Sequence, residues 1–173
     1  MTRSTGARHG DAALAVPADA GHLVVRRSLL QRLADAGDAD VIAIWGPAGY
    51  GKSTLAAQHA RALRERGVPV AWWSVAAADD NATSMLGRLV AALRAGLGDV
   101  VPDLSPVLVA QGDDAIPSVV RVIVEAVRRG PGVVLVIDDC GYICDPRAVE
   151  VLDSIITRCG AAAGARPGRR ADE

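Results

Sequence analysis

The chain has 173 residues, half of them hydrophobic, and a formal net charge of −1. That length fits one domain with a sizeable core, and so balanced a charge gives no whole-chain basic field for nucleic acid. No apolar run approaches the roughly 18 residues of a membrane span, and the N-terminal stretch lacks the apolar core of a signal peptide.

The three cysteines are Cys140, Cys144 and Cys159. A count so sparse and odd predicts reduced thiols in a cytoplasmic protein. They read as small, partly buried residues. The three histidines, His9, His22 and His59, are not spaced to complete a metal site with them.

Residues 1–20 are small, polar and punctuated by glycine and proline, and predict a disordered tail. His22-Leu23-Val24-Val25 makes a short apolar entry. Ser28 followed by Gln31 has the capping-box pattern, and Leu29, Leu30 and Leu33 give the helix after it one apolar face. Residues 35–40 read as a turn. Val41 to Trp45 is a continuous apolar run of strand length, the pattern of a strand covered on both faces in a parallel sheet.

A glycine-rich loop follows, then a helix from Lys52 to Arg66 that stops at Gly67. Val68 to Val75 reads as a second strand. Its Trp72 and Trp73 are expected to pack on opposite faces of the sheet. The acid pair Asp79-Asp80 reads as a solvated loop, and Asn81 as the cap of a helix running to Leu97. Residues 98–115 read as a linker. Pro117 suits the first turn of a helix ending at Arg129, where Arg128-Arg129 fit the helix C-terminus. Val133 to Ile137 is the third apolar strand, ending in Asp138-Asp139. Asp145-Pro146 opens a last helix that ends near Gly160. Residues 160–173 carry no strand signal and predict a disordered tail. The alternation of strands and helices predicts an α/β fold, a parallel sheet with helices on both faces in three αβα layers, over residues 21–159.

Two motifs carry chemistry. Gly46-Pro47-Ala48-Gly49-Tyr50-Gly51-Lys52-Ser53 is a full match to G-x-x-x-x-G-K-[ST], the phosphate-binding loop or Walker A motif. Its glycines let backbone amides approach phosphate oxygens, and the helix after it offers unpaired N–H groups and the positive end of its dipole. Lys52 would bridge the β- and γ-phosphates, and Ser53 would supply a hydroxyl to Mg²⁺. The chain holds eighteen arginines and one lysine, and that lysine is Lys52. The plain alternative, a glycine-rich turn, is disfavoured by the strand and helix that flank the loop. The second motif is VVLVIDDC, an apolar strand ending in acids, the Walker B pattern. Asp138 would hold Mg²⁺ through a water opposite Ser53, and Asp139 is the candidate for polarising the attacking water.

The blocks HLVVRRSLLQRL, VIAIWGPAGYGKSTLAAQHA, VAWWSV with an acid pair after it, and VVLVIDDCGYICDP followed by a helix together resemble a known family. They are similar to the ATPase domain of the large LuxR-type transcriptional regulators, which include the maltose-regulon activator. These are P-loop NTPases of the signal-transduction class with numerous domains. Tyr50 inside the loop is more specific to that group than the generic loop motif. The resemblance covers about residues 22–159. It implies ATP or ADP on the loop through Thr54, with Val24 to Arg26 near the adenine. It further implies a switch between an ADP-held closed form and an ATP-bound, self-associating form, with DNA read by a separate C-terminal domain. Where the family has an aromatic and a histidine after its acid pair, Cys140-Gly141 stand here.

The same resemblance implies a later strand, carrying a polar sensor residue, between the strands of the two motifs. Residues 161–173 (AAGARPGRRADE preceded by Ala161) hold no such strand. The expectation is therefore a P-loop NTPase fold truncated after the second motif and its helix, with its C-terminal domains missing. Two functions follow. One is an ATP-binding, weakly hydrolysing domain of a signal-responsive regulator, with no membrane or direct DNA contact. The other is a non-catalytic nucleotide-binding remnant or interaction module.

Overall fold

The computed structural model describes residues 12–18, 24–37, 39 and 41–163, with only the backbone for 161–163. Its centre is a parallel pair of strands, β1 (Val70–Ser74) and β2 (Val134–Asp138). They are in register from Val70 opposite Val134 to Ser74 opposite Asp138. Both are runs of β-branched, aromatic and aliphatic residues that fit a pleated, covered surface.

Helices lie on both faces. On one, Val70 and Trp72 pack against Ala57 and Ala60 of α2 (Lys52–Glu65). On the other, Ala71, Trp73 and Val75 enter a larger core. That core includes Met85, Leu86, Leu89 and Val90 of α3 (Ala82–Leu97), Val119, Val120 and Ile123 of α5 (Ile116–Arg129), and Ala148 and Ile155 of α6 (Pro146–Ala163). Both indoles are completely buried, one on each face, as strand alternation predicts. This is the expected three-layer αβα arrangement.

Several local signals act as expected. Asn81 caps α3, accepting from the Ser84 amide at 2.9 Å. Asp145 caps α6, accepting from the Ala148 amide at 2.8 Å. Within α3, Gly96 is required by packing. A Cβ there would lie 2.9 Å from the Ala71 nitrogen and 3.0 Å from the Val70 carbonyl carbon. The helix approaches the β1 backbone that closely because Gly96 has no side chain.

Four expectations need correction. The run Val41 to Trp45 is not a strand: the ladder joins only β1 and β2, and Val41, Ile42 and Trp45 are exposed. A strand is held by a hydrogen-bonded neighbour, and among the described residues none lies beside this run. Ser28 does not cap α1 (Arg27–Asp35) but lies inside it. The amides of Leu29 and Leu30 bond to the Arg26 carbonyl at 3.1 and 3.0 Å, which starts the helix two residues earlier. The presumed linker contains α4 (Ser105–Gln111), flanked by 3-10 turns at 98–100 and 112–115. The Asp103 carboxylate accepts from the Ser105 amide at 3.0 Å, and Pro106 fits the first turn. Finally, part of the expected N-terminal tail is placed. The Ala13 carbonyl accepts from the Ser74 amide at 2.8 Å, Leu14 packs on the larger core, and Val16 on the smaller one. Residues 1–11, 19–20 and 164–173 of the two expected tails lie outside the described residues.

Candidate functional site

The glycine-rich loop leads directly into α2. Gly49 and Gly51 adopt φ values of 79° and 74°, in the left-handed region that glycine enters without strain. An added Cβ at Gly49 would meet nothing within 4 Å, so backbone conformation, not space, selects glycine there. The first helical bond runs from the Leu55 amide to the Gly51 carbonyl at 2.9 Å. The amides of Lys52, Ser53 and Thr54 precede it, and these are the first-turn donors that a helix leaves without intrahelical acceptors.

The Lys52 ammonium donates to the carbonyls of Gly46 and Pro47 at 2.9 and 3.0 Å. These two bonds use two of its three protons. In the first turn of the helix, the Ser53 hydroxyl donates to Asp138 Oδ1 at 2.8 Å. Asp138 is the last residue of β2 and partly buried, and the same oxygen accepts from the Asp139 amide at 3.2 Å. The loop and the end of the acid-bearing strand therefore meet, as the two motifs predict.

Asp139 is exposed and has φ 57°, the one non-glycine residue with positive φ among those described. It opens a 3-10 turn at Cys140–Tyr142, in which the Tyr142 amide bonds the Asp139 carbonyl at 3.1 Å. Tyr50 and Tyr142 are exposed as well.

Beside the loop is a cavity of about 160 Å³ lined by Val24, Arg26, Gly49, Gly51, Thr54, Leu55 and Gln58. Leu55 and Gln58 were not singled out from the sequence, although Gln58 stands four residues after Thr54, on the same helix face. Gln58 also donates to the Val24 carbonyl at 3.5 Å, tying the entry segment to α2.

The acid pair after β1 differs from the solvated loop expected. Asp79 is buried; its carboxylate accepts from the Trp73 indole at 3.2 Å and the Ala76 amide at 3.0 Å, and pairs with Arg88. Asp80 accepts from the amides of Asp145 and Cys144, which hold its carboxyl below the ordinary aspartate range. Cys140 and Cys144 are exposed rather than partly buried. No group of three or more candidate metal ligands among His, Cys, Asp and Glu occurs among the described residues.

With that geometry in place, the comparison with known proteins is specific. A family profile described as the AAA ATPase domain matches residues 22–158. The chain belongs to the AAA ATPase domain family. Among curated proteins, the serine/threonine-protein kinase PknK of Mycobacterium tuberculosis is 32% identical over 137 residues, 79% of this chain and 12% of PknK. PknK of Mycobacterium bovis matches to the same extent. The HTH-type transcriptional regulator MalT of Klebsiella pneumoniae is 34% identical over 86 residues, 50% of this chain and 9% of MalT. The resemblance to the large LuxR-type transcriptional regulators agrees with the MalT match. The chain spans only 12% of the length of the first of these relatives.

An AAA ATPase domain implies a bound nucleotide, usually with Mg²⁺. The residues present fit both. Two left-handed glycines open the loop backbone, an ammonium lies on the loop, and a hydroxyl and carboxylate face each other at 2.8 Å. Such hard oxygen donors suit Mg²⁺. No helix among the described residues is long and apolar enough to cross a membrane.

Proposed function

We propose that this chain is the Mg²⁺-dependent ATP-binding domain of a signal-responsive transcriptional regulator, able to alternate between ATP and ADP. The observation that carries this reading is the Ser53–Asp138 hydrogen bond. It brings together a hydroxyl from the loop and a carboxylate from the strand, the two groups that a metal-bound triphosphate would use.

The backbone amides from Gly46 to Thr54 would hold phosphate oxygens, and Pro47, Ala48 and Tyr50 shape that cradle. Lys52, now on the Gly46 and Pro47 carbonyls, would use its remaining proton or release those carbonyls to pair with the β- and γ-phosphates. Ser53 and Asp138 would hold Mg²⁺, Asp138 through a water. When bound, that ion supplies neutralisation of phosphate charge. Asp139 is the group for polarising an attacking water, which makes slow ATP hydrolysis the activity to test. The cavity at Val24, Arg26 and Gln58 would take the adenine.

PknK and MalT carry different names yet share this segment with the chain. A nucleotide switch serving different signalling outputs accounts for that. DNA contact is assigned to other domains, since this chain's net charge is −1. Self-association in the ATP form and a cytoplasmic location belong to the same proposal.

The decisive experiment is calorimetry on the folded chain with Mg²⁺ and ATP. Lys52→Ala should weaken binding by roughly tenfold to a hundredfold, the effect of losing a charge-assisted contact. No binding heat with folded wild-type protein would overturn the proposal.

The exposed run Val41 to Trp45, which has no strand partner among the described residues, favours a second reading. A loop entered from an unladdered segment is less fixed, which suits a module that binds nucleotide without turning it over. Steady-state ATPase activity that disappears in Asp138→Asn counts against this second reading.

A further inference from the structure

Asp80 is not among the residues assigned to the nucleotide, yet it reaches the turn that holds one of them. Its Oδ1 accepts from the Cys144 amide at 2.6 Å and from the Asp145 amide at 2.7 Å, residues 64 and 65 positions further along the chain. Bonds of that length are typical of charge-assisted contacts, which are about twice as strong as neutral ones. Cys144 and Asp145 directly follow the turn that Asp139 opens and Ile143 ends, and Asp145 then caps α6.

The other end of this turn is also held from β1. The Val75 amide donates to the Asp138 carbonyl at 2.9 Å. The chain leaving β1 thus grips the acid-bearing turn twice, before it and after it. Asp80 is itself anchored: its amide bonds the Ala77 carbonyl at 3.3 Å, and the neighbouring Asp79 carboxylate is buried on Trp73 and Ala76. Between the two grips stands Asp139 with φ 57°. A residue keeps such a sparsely populated backbone when its surroundings over-determine it.

We propose that Asp80 is the positioning residue of the Asp139 turn. It fixes where the Asp139 carboxylate stands relative to Asp138 by holding the far end of the turn, without itself touching the nucleotide. The proposal rests on the nucleotide reading above.

The test uses the full chain with three substitutions, Asp80→Ala, Asp80→Glu and Asp80→Asn. The first readout is amide hydrogen exchange at Cys144 and Asp145, followed by NMR. Asp80→Ala should speed exchange at these two amides by about tenfold or more, with β1 and β2 unchanged. Asp80→Asn should fall between wild type and Asp80→Ala, because its side-chain carbonyl can still accept both bonds but without the charge that strengthens them. Asp80→Glu keeps the charge but moves the carboxylate outward by one methylene, and should resemble Asp80→Ala.

The second readout separates binding from turnover. Affinity for ADP without Mg²⁺ should stay within about twofold in all three variants, since the loop donors are untouched, while ATP turnover falls in the Ala and Glu variants and recovers in part in Asn. Equal exchange at Cys144 and Asp145 in wild type and Asp80→Ala overturns the proposal. If Asp80→Ala melts as a whole, a folded Asp80→Glu protein with wild-type exchange overturns it equally. Failure of wild type to bind any nucleotide overturns the parent reading; the exchange result upholds or overturns the hold of Asp80 on the turn independently of it.

Discussion

The Ser53 hydroxyl donates to Asp138 Oδ1 at 2.8 Å, although 85 positions separate the two residues. The bond links the first turn of α2 to the last residue of β2, and so joins the two motifs in one place. Both groups are the kind of oxygen ligand Mg²⁺ takes. Asp138→Asn keeps a hydrogen-bond acceptor but removes the negative charge. It should lower affinity for Mg²⁺ with ATP by about tenfold or more, while affinity for ADP without Mg²⁺ changes far less. Paired calorimetric titrations with and without Mg²⁺ check this. Equal losses in both titrations would mean that Asp138 acts on the fold and not on the metal.

Much of this site was legible because its signals are local. A single lysine among eighteen arginines, placed after two glycines and before a serine, needs no tertiary information. Trp72 and Trp73 were separable because strand side chains alternate. The failures are of another kind. Val41 to Trp45 has strand composition, but a strand exists only when its N–H and C=O groups find a neighbour. Composition cannot supply that neighbour. Asp79 reads as a solvated acid because acids in loops usually are; its burial depends on an indole N–H and an arginine brought to it by folding. Asp80 and the Cys144 amide lie on segments with no shared sequence pattern, so their contact could only be seen in three dimensions.

The contact of Gly96 with β1 makes a sharp stability prediction. Gly96 sits near the end of α3, where alanine has the better helix propensity by about 1 kcal/mol. Here the added methyl would press on the Ala71 and Val70 backbone at 2.9–3.0 Å. Backbone cannot rotate aside as a flexible side chain would. Gly96→Ala should therefore destabilise the chain by about 1–3 kcal/mol, the usual range for overpacking. Urea unfolding measures it. A gain in stability would show that α3 shifts away from the sheet at little cost.

Asp79 should matter more for stability than its ion pair suggests. Its carboxylate satisfies the Trp73 indole N–H and the Ala76 amide as well as Arg88. Asp79→Ala leaves the fully buried indole donor without that acceptor, at a cost of about 1–3 kcal/mol. Arg88 has a side chain 41% exposed to water. Its pairing with Asp79 is screened on that side, so Arg88→Met should cost less than Asp79→Ala, although it leaves the Asp79 carboxylate without its cation. Denaturant unfolding of both variants compares them. Equal losses would place the main contribution in the ion pair and not in the indole contact.

His59 on α2 gives the chain a pH dependence with a definite sign. Burial lowers its pKa from the ordinary 6.5, and the positive charge of Arg66 lowers it further. The unfolded chain therefore takes up a proton at a pH where the folded chain still resists it. Stability rises with pH wherever the unfolded state binds more protons. The contribution of neutral His59 is thus fully present above the ordinary histidine value and declines as pH falls from there through the lowered folded-state value. His59→Gln removes the titrating group while keeping a polar side chain of similar reach. The melting temperature of wild type should fall between about pH 7 and pH 5.5, and the variant's should fall less over the same interval. A variant curve parallel to wild type would assign the acid sensitivity to other groups.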